Sequence, residues 1–243
     1  MTPSSISLAD KTALVTGASA GIGWATAIAL ARRGANLVVT ARREERLRQL
    51  CAEIEAFGGR AVFYAGDATE EATAWQSVAL AIATFGHLDI VINNAGAGNY
   101  KNLIETSVEE YDSLMDANMK SGFLFSRHAA PLLIEQKSGT ILFISSVAGL
   151  QGIAGEAVYC ASKFAQVGFA QSLDAELRKY GIKVGTICPG GVKSEFGLGR
   201  GRTEEYIRHS HMMEPEEVAE AIVFACLQPP NVRIPQMIVR HMG

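Results

Sequence analysis

Long hydrophobic runs are missing from this chain of 243 residues: no apolar stretch approaches the ~20 residues that a membrane span needs. An excess of one charge is missing too. Lys and Arg together number 22 and Asp and Glu 25, and a net charge of −3 provides no basic stripe for nucleic acid and no pull toward an anionic membrane. Cysteine is sparse and scattered. Cys51, Cys160, Cys188 and Cys226 form no C-x-x-C pair, and no His stands at metal-ligand spacing, so no metal site is expected. The expectation is reduced, mostly buried thiols in a cytoplasmic protein. No His adjoins Cys160 to activate it as a nucleophile. Residues 1–10 lack a basic n-region and an apolar core, so no signal peptide is expected there. There is no internal repeat, low-complexity tract or linker.

What is present suits one large α/β domain, residues 1–243, since 48% of residues are hydrophobic and 19% charged. Runs rich in Val and Ile at 13–16, 37–40, 61–64, 90–93, 140–145, 184–188 and 237–240 read as strands. Between them, 21–33, 44–57, 70–85, 108–135, 158–180 and 215–226 read as helices. Strict alternation predicts a three-layer, doubly wound sheet of about seven parallel strands with helices on both faces, a Rossmann-like fold. Several strands are apolar without alternation, as expected where both faces are covered. One long irregular stretch, about 190–213, reads as a lid over a substrate site.

The first strand runs into Thr16-Gly17-Ala18-Ser19-Ala20-Gly21-Ile22-Gly23, which opens the first helix. Glycines there let the backbone approach a pyrophosphate, whose charge meets the N–H groups and positive dipole of the helix. At the end of the second strand, a site that selects NAD usually carries an acidic residue for the ribose 2′-hydroxyl. Here Arg42 and Arg43 follow Thr40 and Ala41 instead. Two cations at a helix N-terminus face an unfavourable dipole, which an anionic 2′-phosphate would relieve. The sequence therefore predicts NADP as cofactor, with Arg42 the direct contact; the bland alternative is a solvated basic turn balanced by Glu44 and Glu45.

Ser146 ends the fifth strand, and Tyr159 and Lys163 follow it by thirteen and seventeen residues. With these motifs in order, the chain resembles the classical short-chain dehydrogenase/reductase family over nearly its whole length. The glycine motif, Asp67-Ala68, Asn93-Asn94-Ala95-Gly96, Asn118, Ser146, Tyr159-x-x-x-Lys163 and Pro189-Gly190 all stand in family order. The resemblance implies a cofactor site of Gly17, Ser19, Gly21, Ile22, Gly23, Arg42, Arg43, Asp67, Ala68, Asn94, Ala95, Gly96, Tyr159, Lys163, Pro189, Gly190, Val192 and Ser194. It implies a catalytic set of Asn118, Ser146, Tyr159 and Lys163, with Ser146 and Tyr159 also touching substrate. Asn118 would hold a water that links Lys163 to solvent as a proton relay.

The chemistry these residue types suit is hydride transfer between a nicotinamide and a carbonyl or secondary alcohol. An alkoxide formed by hydride delivery must be protonated as it forms, which Tyr159 can do. A free phenol has a pKa near 10, and Lys163 at ~4 Å in a medium of ε ~20 would contribute about 4 kcal/mol toward lowering it, so a phenol near neutrality is expected. Ser146 would polarise the substrate oxygen, and strand alternation should send its neighbour Ser145 the other way. Substrate-pocket candidates are residues 97–100 and 147–151, Ile153, Glu156 and the lid, with Arg200, Arg202, Arg208, His209 and His211 as possible anion contacts or solvated charges. Met212 and Met213 either cover an apolar substrate or anchor the lid.

The closing segment, from Pro230 to Arg240, lacks the I-T-G … D/N-G-G-like ending of acyl-carrier-protein reductases. It looks more like NADP-dependent 3-hydroxy acid (serine-type) dehydrogenases and small-carbonyl reductases, with a 3-oxoacyl-[acyl-carrier-protein] reductase as the alternative. A non-catalytic NADP-binding regulatory or scaffold protein is the alternative of another class. Phe123, Leu124, Phe125, Phe164, Val167 and Phe169 place apolar residues on more than one helix face, which predicts a homodimer or homotetramer through these helices.

Overall fold

A computed structural model describes residues 7–242. Seven strands, β1 (Thr12–Thr16), β2 (Asn36–Ala41), β3 (Arg60–Ala65), β4 (Ile90–Asn93), β5 (Gly139–Ile144), β6 (Ile182–Pro189) and β7 (Gln236–Val239), form one sheet in the order β3-β2-β1-β4-β5-β6-β7. Every pairing is parallel. The expected fold class holds, and the reason is visible in the burial. β1, β4 and β5 are buried at every position, as strands covered on both faces must be.

The helices are α1 (Gly21–Arg32), α2 (Glu44–Ala56), α3 (Glu71–Phe85), α4 (Val108–Met115), α5 (Ser121–Gln136), α6 (Ala157–Leu177), α7 (Glu204–His209) and α8 (Pro215–Cys226). On one face α1, α2 and α8 pack against the sheet in a core that includes Leu30, Leu47, Ile54 and Ile222. On the other, α3, α5 and α6 enclose Phe125, Phe143, Leu133 and Leu177. Among the described residues no helix is long and apolar enough to cross a membrane. All four cysteines are free and buried.

Two expectations need correction. The helix expected over 108–135 is not continuous. It ends as α4 at Met115, passes through a π-helical turn at Asp116–Lys120, and resumes as α5. A π turn widens the backbone ring by one residue and re-aims its carbonyls, a distortion that concentrates at functional sites. Nor is 190–213 wholly irregular. Thr203 accepts a hydrogen bond from the Tyr206 N–H, Glu204 and Glu205 occupy the first turn and Arg208 and His209 the last, which suits the dipole of the short helix α7. A bridge between Val192 and Met213 pins both ends of the segment.

The order of strands reverses between β1 and β4, so their connections leave in opposite directions and a crevice opens at the carboxyl ends of the strands.

Candidate active site

At that crevice lies a cleft of about 1220 Å³. One half is built from backbone. Gly17 and Gly21 have φ of +65° and +56°, which favours glycine, and a Cβ on Gly17 would press on the Ala95 backbone. Gly23 does not line the cleft: a Cβ there would collide with the Gly17 carbonyl and the Asn94 side chain. It lets α1 pack close beneath the turn. Asn94 donates to the carbonyls of Thr16 (2.9 Å) and Gly17 (3.2 Å), while Thr16 Oγ1 accepts from the N–H groups of Asn94 and Ala95. This lattice ties the ends of β1 and β4 together. Ala20 caps α1 without a side-chain hydrogen bond, so no side chain of the cap competes for the helix N-terminus. Glycine cradle, uncapped helix and adjacent cations together fit a dinucleotide pyrophosphate.

The two arginines differ. Arg42 is 81% exposed and 4.0 Å from Asp67. Arg43 is engaged: it donates to Ser19 Oγ (3.1 Å) and to the Ser19 carbonyl (3.3 Å), and pairs with Glu195 at 2.6 Å. Asp67 accepts from the backbone N–H and the hydroxyl of Thr69, both at 2.9 Å, and the backbone bond above all holds its carboxyl below the usual range. Ala68, Ala95, Gly96, Pro189, Gly190, Val192 and Ser194 also line the cleft, as do Ser19 and Ile22.

The other half is buried and polar. The strand pleat separates the two serines as expected: Ser145 Oγ donates to the Lys163 carbonyl (3.1 Å), whereas Ser146 lines the cleft with Tyr159 and its Oγ accepts from the Ala148 N–H (3.1 Å). Tyr159 and Lys163, one turn apart on α6, are almost wholly buried. Lys163 Nζ donates to the Ile144 carbonyl (2.9 Å) and to Gln166 Oε1 (3.0 Å), and lies 5.8 Å from the centre of the Tyr159 ring. Burial pushes the Lys163 ammonium down to about 7, with Cys188 opposing weakly. Burial pushes the Tyr159 phenol up, well above its ordinary value; Tyr100 and Glu156 add to the rise, and Ser146 and Arg202 oppose it. In the protein alone the direction is thus away from the near-neutral phenol expected of the pair. Desolvation by burial penalises both charged forms and is the largest cause acting on each.

Asn118 does not line the cleft. It is fully buried in the π turn, where its Oδ1 accepts from the Ala97 N–H (2.7 Å) and its Nδ2 donates to the Ala97 carbonyl (3.0 Å) and Ser162 Oγ (2.8 Å). It braces the segment after β4 from behind. Gln166, which the sequence reading passed over, sits beside it and is 1% exposed. The available signal was an amide one helical turn beyond Lys163 on an otherwise buried face.

Around Tyr159 stand Tyr100 and Phe196, with ring centres at 6.1 and 6.0 Å. Arg202 stacks over Tyr100 at 4.8 Å. Arg200, Arg202 and His211 line the cleft; Arg208 and His209 do not. Met213 is buried in the core and anchors its segment, while Met212 faces the cleft.

A family model for short chain dehydrogenases matches residues 11–205. An uncharacterised oxidoreductase of Thermotoga maritima is 38% identical over 226 residues, 88% of this chain and 89% of that protein. A metagenomic short-chain oxidoreductase solved with NADP superposes with a TM-score of 0.84 at 33% identity, covering 99% of this chain and all of that one. The closed form of a serine dehydrogenase complexed with NADP+ gives a TM-score of 0.88 at 30% identity over 94% of each chain.

Proposed function

The chain belongs to the short-chain dehydrogenase family of oxidoreductases, and from that premise we propose an NADP-dependent enzyme interconverting a carbonyl and a secondary alcohol. The carrying observation is that Ser146, Tyr159 and Lys163 share one cleft with the glycine cradle and with Arg42. Gly17, Ser19, Gly21 and Ile22 would receive the pyrophosphate, Arg42 the 2′-phosphate, Asp67 and Ala68 the adenine. Asn94, Ala95 and Gly96 would brace the dinucleotide, and Pro189, Gly190, Val192 and Ser194 would lie along the nicotinamide. When bound, NADPH supplies the hydride.

The remaining work belongs to side chains. Ser146 donates to the substrate oxygen and polarises it. Tyr159 holds the proton at Oη and delivers it to that oxygen in reduction, or removes it in oxidation. Lys163 is the positive charge that favours the phenolate when it forms. Arg43, held by Ser19 and Glu195, has a structural tie between the cradle and the segment after β6, which leaves Arg42 the freer partner for a phosphate.

The proposed substrate carries a carboxylate, as a 3-hydroxy acid does. Arg202 makes no ion pair within 4 Å among the described residues and stacks on Tyr100, which itself packs on Tyr159. A serine dehydrogenase among the structural relatives supports the same class. We read 190–213 as the lid and the cytoplasm as the compartment. Exposed Phe123 and Phe164, at 39% and 45%, support the reading of a homodimer or homotetramer built through α5 and α6.

The test is loss of absorbance at 340 nm with NADPH and with NADH, across ketones, aldehydes, 3-keto acids and acetoacetyl thioesters. Turnover with NADPH and a keto acid is expected. Preference for the thioester would replace the hydroxy-acid reading with that of an acyl-carrier-protein reductase. Binding of NADPH without turnover of any member would favour a regulatory protein.

A further inference from the structure

We propose that Gln166 is a positioning residue that holds the Lys163 ammonium in place and couples it directly to Asn118, spanning the gap where the family resemblance implies a water. Three observations carry this. Gln166 Nε2 donates to the Asn118 carbonyl at 2.6 Å, and Gln166 Oε1 accepts from Lys163 Nζ at 3.0 Å. The orientation of the amide is fixed by its partners, because a carbonyl only accepts and an ammonium only donates. Both polar ends of a side chain that is 1% exposed are thereby satisfied, which a buried amide requires.

The bonds close into a ring. Asn118 Nδ2 donates to Ser162 Oγ, Ser162 Oγ donates to the Tyr159 carbonyl at 2.7 Å, and the chain returns to Lys163 through α6. The π turn is what makes the ring possible, since it presents the Asn118 carbonyl to α6. A primary amide bridges two groups without exchanging a proton under ordinary conditions. Lys163 therefore acts at this site as a fixed, oriented charge, with Gln166 and the Ile144 carbonyl as its acceptors. Few other titratable groups reach it. Tyr159 faces it from its own helix and Cys188 from β6, while Tyr100, Glu156 and Arg202 act on Tyr159 from the cleft side.

The functional consequence rests on the proposed proton transfer by Tyr159, and the experiment separates the two. Protein labelled with 13C-lysine is titrated by NMR without cofactor or substrate. The Lys163 Cε signal is assigned by its absence in Lys163→Met. Loss of an acceptor to a charged donor should lower the apparent pKa of Lys163 by about one unit in Gln166→Met, which keeps the volume. Gln166→Ala, which opens polar space for solvent, should lower it less, and serves if the methionine variant does not fold. An unchanged Lys163 titration in the folded variants overturns the proposal. The pH profile of NADP-linked oxidation of the best substrate from the panel is then compared. An alkaline shift in Gln166→Met supports action through Lys163 on Tyr159. A moved Lys163 with an unmoved profile keeps the contact and overturns its role in the reaction.

Discussion

The two halves of the cleft hold charge in opposite ways. The cradle at β1 and α1 is made of backbone groups, glycines and exposed cations, and it meets a ligand with little desolvation of its own. The wall formed by β5, the π turn and α6 buries Tyr159 and Lys163, and satisfies its polar atoms through side chains. Burial raises the first and lowers the second to about 7, so the phenol stays neutral at neutral pH while the ammonium of Lys163 is held close to its titration midpoint. An open site of this kind recognises; a closed one sets the protonation state of what it buries. The difference also predicts how each responds to mutation, because removing an exposed contact loses only that contact, whereas changing a buried group disturbs its partners.

The largest test of this division is Tyr159→Phe, expected to cut turnover about 10²- to 10⁴-fold while NADPH affinity changes by less than a few-fold. Steady-state rates and dinucleotide fluorescence titration check it, and a comparable loss of affinity would mean that the halves are not separable. Next is Lys163→Met, read by chemical denaturation between pH 6 and 10. The folded pKa of about 7 lies below the unfolded value near 10.4, so the unfolded chain binds more protons between them and Lys163 makes stability rise with pH through that window. The variant should lose that rise, a change on the order of several kcal/mol. Equal slopes in parent and variant would show that the ammonium is not penalised by burial.

Smaller effects belong to the open half. Arg42→Ala should weaken NADPH binding about 10- to 100-fold and leave NADH nearly unchanged. Equal losses would remove the 2′-phosphate assignment. Arg202→Ala should raise KM about 10-fold for a 3-hydroxy acid and scarcely at all for a neutral alcohol of similar size. A rise for both would make Arg202 a prop for Tyr100 instead.

Legibility followed the same division. Gly17 and Gly21 were readable because a turn between strand and helix forces their type locally; Asn94 was readable only through the family resemblance, since its partners Thr16 and Gly17 lie 78 and 77 residues away. Gly23 read as a ligand contact, and only packing showed that it serves α1 against Asn94. Ser146, Tyr159 and Lys163 were readable by spacing, but their protonation was not, because desolvation depends on everything that covers them. Nor was the π turn, since nothing in Asp116–Lys120 by itself breaks a helical pattern. Gln166 read as one more helical residue. Arg42 read as the direct phosphate contact, but what occupies Arg43 was not legible, because its partners Ser19 and Glu195 lie 24 and 152 residues away.

The sequence by itself determined the parallel sheet, the order of its elements, the crevice at their carboxyl ends and the residue types that meet there. Those depend on local periodicity and on turns a few residues long. Tertiary structure alone decided what ties Arg43 down, how far Tyr159 and Lys163 are desolvated, and that the Gln166 amide joins Lys163 to Asn118. Each of these is set by partners distant in the chain, and burial and hydrogen-bond satisfaction exist only once the elements have packed.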